Sequence, residues 1–179
     1  MRSVPGSRIE LRCALSSRAG LVDRNSYDQK RNKMSNIDNG LDMELSSGIA
    51  AYETKFFDRA VKLLSPLAEE GNPEAQYRMA IMAQNGLGMV VNELMAYKNM
   101  KAAADAGHGM SQHGLGFMYL EGECVEKNEE KAVFWFRKAA EQGLAGSQAT
   151  LGMLYKEGRG VEKNPEEARR WYKLAGFDE

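Results

Sequence analysis

The chain has 179 residues, 43 % apolar and 27 % charged, the balance of a soluble globular protein of one domain. No run of about 18 apolar residues occurs, which excludes a membrane-spanning helix, and a formal net charge of −1 argues against a protein held to duplex nucleic acid by phosphate contacts. Cys13 and Cys124 are too few to staple the fold, so it needs no disulfides and suits a reducing, cytoplasmic setting.

Charge is unevenly spread: residues 1–33 carry a net +5 and the remainder −6. The first 43 residues show no sustained hydrophobic period and no secretory apolar core. They are expected to form a disordered basic leader, with Met34 as an alternative start. Their Arg and Ser content leaves a mitochondrial-type presequence as a further alternative.

Organised sequence follows from residue 44. The stretch "GIAAYETKFFDRAVKLLSPLAEEG" (48–71) carries Ala60, Leu63 and Leu67 before Gly71, the second half of a unit that recurs in full three times. The predicted domain is 44–179, divided into a half-repeat at 45–71 and repeats at 71–106, 107–142 and 143–179. Pro66 predicts a kink in the half-repeat's helix. The first full copy is worn: Gly71, Ala75, Gln76, Met79, Ala80, Ala83, Gly86, Met89, Ala96, Asn99 and Ala103 keep its columns. The second and third copies share 16 of 36 positions.

Each copy reads as two helices. In the second, Ser111, Gln112, Leu115, Gly116 and Tyr119 follow the spacing of one helical face. Gly122 stands where a left-handed residue closes a helix. Asn128 is a good N-cap, and acidic residues follow it at once, where the helix dipole favours them. Ala132, Trp135, Phe136 and Ala139 make the stripe of the second helix, and Gly143 ends it. The third copy repeats this with Leu151, Gly152, Tyr155, Gly158, Asn164, Ala168 and Trp171, adding Pro165 at the first helical position. Gly116 and Gly152 lie inside helices, where glycine costs about 1 kcal/mol relative to alanine; close approach of a neighbouring helix backbone is the expected compensation. Cys124 sits where the third copy has a turn glycine. A positive φ is expected there, which Cys124→Gly would relieve. Arg169 and Arg170 replace Val133 and Phe134, as a terminal cap would require, so the array is expected to end at Gly176.

Neither helix buries its stripe alone, and stacking neighbours does. The predicted fold is all-α, an α/α superhelical solenoid of about three and a half helix-turn-helix repeats. The pattern L-G-x-x-Y-x-x-G-x-G-V, then K-A, W and A-A-x-x-G, resembles the Sel1-like repeat, a relative of the tetratricopeptide repeat. It is closest over 107–176, in "LGMLYKEGRGV" and "EEARRWYKLA". It is looser over 71–106, where Ala83 and Asn99 hold the Tyr and Trp columns. The half-repeat looks like the one that opens bacterial members of this family.

The resemblance implies an adaptor that binds a protein or peptide on a concave face built by first helices. Setting aside the repeat-defining columns leaves Tyr77, Arg78, Ile81, Met82, Asn85, His113, Phe117, Glu121, Thr150 and Met153 as candidate partner-binding residues. They suggest an adaptable, Met-bearing groove with polar flanks. The alternative for columns 81/117/153 and 82/118/154 is that they fill the seam between helices.

No catalytic, cofactor-binding or metal-binding residues are assigned. His108 and His113 are five apart, not the i, i+4 spacing of a helical metal pair, and with Cys124 they read as ordinary surface and turn residues. The glycines of "GLGMVVN" and "GRGVEKN" fall in interhelical turns, not in phosphate loops. Lys127 and Lys163 in the turn "VEKN" read as solvated, or as a lateral contact. The expectation is a non-enzymatic, cytoplasmic, monomeric scaffold with no nucleic-acid partner. Two alternatives stand beside it. One is a hydrolase of cell-wall material or β-lactams, known among cysteine-rich members of the superfamily. The other is a regulatory or effector protein.

Overall fold

The computed structural model describes residue 40 and residues 42–177. The leader, the alternative start at Met34 and the presequence alternative lie almost wholly outside the described residues. Eight helices and no strands occur among those that are described. They are α1 (42–53), α2 (Phe57–Glu69), α3 (Pro73–Asn85), α4 (Glu93–Asp105), α5 (Gly109–Glu121), α6 (Glu129–Glu141), α7 (Ala145–Glu157) and α8 (Pro165–Leu174). Residues 44–179 form one unit by themselves, apart from 1–43. Within it, substantial contacts join helices that follow one another in the chain, from α2·α3 to α7·α8. The architecture is an all-α repeat solenoid.

The period has a simple local origin. Helices α2 to α7 are each 13 residues long. Long turns separate α3 from α4, α5 from α6 and α7 from α8. Short turns separate α2 from α3, α4 from α5 and α6 from α7. Each long turn opens on a left-handed glycine: Gly86, Gly122 and Gly158, with φ of 68°, 79° and 76°. Their N–H groups donate to the carbonyls of Met82, Met118 and Leu154, closing the helix ends. Each long turn closes on Asn92, Asn128 or Asn164, whose side chain accepts from the first turn of the next helix. The backbone N–H of each asparagine donates back to Ala83, Tyr119 or Tyr155 at 2.8–2.9 Å, which pins the turn against the helix it left.

The core runs down the middle of the hairpins. One column holds Ala60, Ala96, Ala132 and Ala168, all buried. Trp135 and Trp171 are buried at 8 % exposure each, and Tyr119 and Tyr155 beside them at 7 % and 8 %. The glutamine column has a definite task. Gln76, Gln112 and Gln148 donate to the carbonyls of Ala68, Ala104 and Ala140 at 3.0–3.2 Å, a second bond to C-terminal carbonyls that also accept from the N–H groups of Gly71, Gly107 and Gly143.

Three expectations are refined. Inside α5, what approaches Gly116 most closely is the Phe136 ring, and inside α7 the Tyr172 ring comes nearest to Gly152, side chains and not backbone. Helix α2 continues through Pro66, which lies exposed near its C-terminal end. Ahead of the first full copy stands a complete hairpin. A Cβ at Gly48 of α1 would lie 2.5 Å from the Leu64 side chain of α2, the same small-against-large contact as Gly116 with Phe136. The turn from α1 to α2 is only residues 54–56, four residues shorter than its counterparts. At the other end, Arg169 stands exposed in the column where Val133 is buried. Phe134, 53 % exposed, does not share that interface.

Candidate protein-interaction surface

The first helix of each hairpin buries one face and presents the other. On α3, Tyr77, Arg78 and Ile81 are half-buried and Asn85 is exposed. On α5, His113 is half-buried, while Met110, Phe117 and Glu121 are exposed. On α7, Thr150 and Met153 are half-buried. Met82 belongs elsewhere: it is fully buried, as are Met118 and Leu154 in the same column. That column fills the seam between helices, and Met82 offers nothing to a partner.

The α3 end of this surface is polar and tied down. Arg78 lies 4.9 Å above the Tyr52 ring and donates from Nε to Glu74 Oε1 at 2.8 Å. It also reaches Glu53 at 3.8 Å. Glu74 in turn meets His108 Nε2 of the next repeat at 3.0 Å. The His108 Nδ1 accepts from the Ser111 backbone N–H at 3.2 Å, so this histidine is the N-cap of α5 with its proton on Nε2. Tyr77 stacks obliquely on the His108 ring at 5.1 Å. Burial pushes the Tyr77 hydroxyl above its ordinary value.

The α5 end is aromatic. His113, Phe117 and Phe136 meet edge to face, with centroids 4.9 Å apart for His113–Phe117 and for Phe117–Phe136. His113 Nδ1 lies 2.7 Å from the Ser147 hydroxyl of α7, which ties one repeat to the next. Burial pulls the His113 pKa below its ordinary value, so the ring favours its neutral form. Phe136 is fully buried and supports Phe117 from below, leaving the Phe117 ring 40 % exposed and held upright. Thr150 and Asn85 spend their side chains on the helix, bonding the carbonyls of Gly146 and Ile81.

Sequence reasoning missed Met110, 45 % exposed on α5, and His108. Met110 falls in a column with Glu74 and Gly146, where the lack of any shared chemistry was the available signal. Among the described residues no cluster of three metal-ligating side chains occurs, and His108, His113 and Cys124 have separate partners and surroundings.

The sequence model of the Sel1 repeat matches residues 73–108, 109–144 and 145–176. The chain belongs to the Sel1 repeat family. Sel1 repeats generally serve protein–protein interaction. A Sel1 repeat protein from Oxalobacter formigenes superimposes with a TM-score of 0.71 at 35 % identity, over 74 % of this chain and 53 % of that one. The protein c5321, a protective antigen present in uropathogenic Escherichia coli strains displaying an SLR fold, gives 0.73 at 31 % identity, over 82 % of this chain and 32 % of that one. This chain thus spans about half the length of the first and a third of the second. Cysteine rich protein B of Helicobacter pylori shares the fold at a TM-score of 0.53 and 20 % identity, over 67 % of this chain and 86 % of that one. No curated protein matches this Sel1 repeat chain in sequence. Among the described residues no helix is long and apolar enough to cross a membrane.

Proposed function

We propose that this Sel1 repeat chain is a non-catalytic adaptor that holds a protein or peptide segment against the face formed by its first helices. The observation that carries the reading is Phe117. A large aromatic side chain stands 40 % exposed, yet two ring contacts fix its orientation, so little rotamer freedom remains to be lost on binding. Met110 beside it on the same helix adds an adaptable apolar contact. Arg78 and Glu74 at the α3 end supply a polar flank. The chain acts as a monomer in the cytoplasm on this reading, with no nucleic-acid partner.

The test is photo-crosslinking from position 117 in the full chain, with a probe on the opposite side at Glu141 as control. Specific capture from 117 alone, competed by the unlabelled protein but not by unlabelled Phe117→Ala of unchanged melting temperature, is the expected result. Equal capture from both positions would defeat the reading. The hydrolase alternative rested on cysteine-rich members, and the cysteine-rich neighbour above lends its fold alone.

A further inference from the structure

The repeats can be compared with one another, and one edge stands out. In the α7–α8 turn, Arg159 reaches back to Glu129, the first residue of α6, with Nε at 3.1 Å and Nη2 at 3.0 Å from the same carboxylate oxygen. Lys127 approaches that oxygen at 3.4 Å. The Glu129 carboxyl is accordingly held below its ordinary value, first by the Arg159 hydrogen bond. One repeat earlier, the equivalent of Glu129 is Glu93, the first residue of α4. There the column of Arg159 holds Glu123, and the column of Lys127 holds Val91. Both cations are missing, and one has become a second carboxylate. Among the described residues no ion pair reaches Glu93 or Glu123; Glu123 accepts only from Gln84 Nε2, at 2.9 Å.

The same edge departs from the other copies in a second way. Val90, Val91 and Leu94 are 89 %, 55 % and 62 % exposed. Their counterparts are Glu126, Lys127 and Glu130 in the next copy, and Glu162, Lys163 and Glu166 in the one after. The fold therefore accepts charge at all three places and gains nothing by presenting aliphatic side chains to water there. Between this apolar strip and the α5–α6 turn opens a cleft of about 700 Å³, lined by Val91, Glu93, Glu123 and Cys124, with Gln84 and Asn85 at its wall. In the α7–α8 turn, Gly160 fits so tightly that a Cβ would lie 2.3 Å from the Glu129 backbone. Cys124 carries a Cβ in that column.

We propose that this edge docks an arginine-bearing aliphatic segment of a partner protein, with its guanidinium between Glu93 and Glu123 and its apolar neighbours on Val90, Val91 and Leu94. The template is internal: a guanidinium is what the fold itself places against the equivalent carboxylate. Arginine suits the position because its planar fork bridges carboxylates and its stem lies along aliphatic surface. The edge is separate from the face around Phe117, so the two readings stand or fall independently.

The probe is the blocked tripeptide acetyl-Leu-Arg-Leu-amide, titrated to millimolar concentration into the isotope-labelled full chain and followed by amide chemical shifts. Its counterpart with Glu in place of Arg is the control. Shifts confined to residues 84–94 and 122–125, seen with the Arg peptide only and weakened by salt, are expected. The double variant Val91→Lys, Glu123→Arg restores the two cations of the next copy. It should weaken the probe about tenfold or more. Val90→Gln with Leu94→Gln, which remove the apolar strip without adding charge, should weaken it too, while Phe117→Ala should not. Melting curves establish that each variant folds. Equal shifts with both peptides, no shift at this edge, or binding unchanged in the folded double variant would overturn the proposal. So would shifts at this edge on concentrating the protein alone, which would assign it to a second copy of the chain.

Discussion

A Cβ built on Gly116 would lie 2.8 Å from the ring of Phe136, inside van der Waals contact and against a fully buried side chain. Gly116→Ala thus sets a gain in helix propensity of about 1 kcal/mol against an overpacking cost of about 1–3 kcal/mol. A net loss of stability is expected. Pairing it with Phe136→Leu should recover part of that loss, because the smaller side chain vacates the contested space. A double-mutant cycle by urea unfolding checks this; strictly additive effects would contradict the contact.

Cys124 has φ of 60°, one of two non-glycine residues with positive φ among those described, while its counterparts Gly88 and Gly160 have 68° and 66°. Cys124→Gly should raise stability by up to about 1 kcal/mol, the relief of left-handed strain less the entropy that glycine adds to the unfolded chain. Gly160→Ala should do the reverse and cost more than about 2 kcal/mol, since it adds strain and a Cβ close to the Glu129 backbone. Thermal melts of the two variants should therefore move in opposite directions.

Burial lowers the His113 pKa, so the unfolded chain takes up a proton at this site before the folded one does. Stability from this residue is whole above the ordinary histidine value of about 6.5 and declines as pH falls through it, levelling off below the folded value. Denaturation midpoints measured on either side of this window should show the decline. His113→Gln should flatten it, and an unchanged profile would place the titration elsewhere.

Asn128 caps α6 through the N–H of Lys131 at 2.8 Å, and Gln148 caps the end of α6 through the carbonyl of Ala140 at 3.0 Å. Asn128→Ala should cost about 1 kcal/mol. Gln148→Leu should cost about 0.5–1.5 kcal/mol, the net worth of one lost bond, because the Ala140 carbonyl keeps the Gly143 N–H at 2.9 Å. Equilibrium unfolding of each single variant gives the comparison.

The repeating core was legible because its chemistry is local. Gly122, Asn128 and Trp135 announce a turn, a cap and an anchor without reference to anything distant, and the structure places each in that role. The hairpin of α1 and α2 was only half legible. Its turn is four residues shorter, so Gly48 slips out of the register that would align it with Ala80, Gly116 and Gly152. The reason for Gly116 was hidden because the pattern shows that space is needed, not what fills it. Met82 read as a groove residue because the seam column and the exposed column lie side by side on the helix. The edge at Val90 was not legible from the first-helix columns, because it lies in a turn and at the start of a second helix. Its signal is the contrast of Val90, Val91 and Leu94 with the charged residues that hold these columns in the other copies.

Among the described residues each hairpin leans chiefly on those adjoining it in the chain. Such a stack is expected to fray: its outer units would come loose while the inner ones hold, spreading its melting over the repeats. Any binding partner lying across several hairpins at once would act as a splint. It would sharpen the melt and slow exchange of amide hydrogens in units it never touches directly.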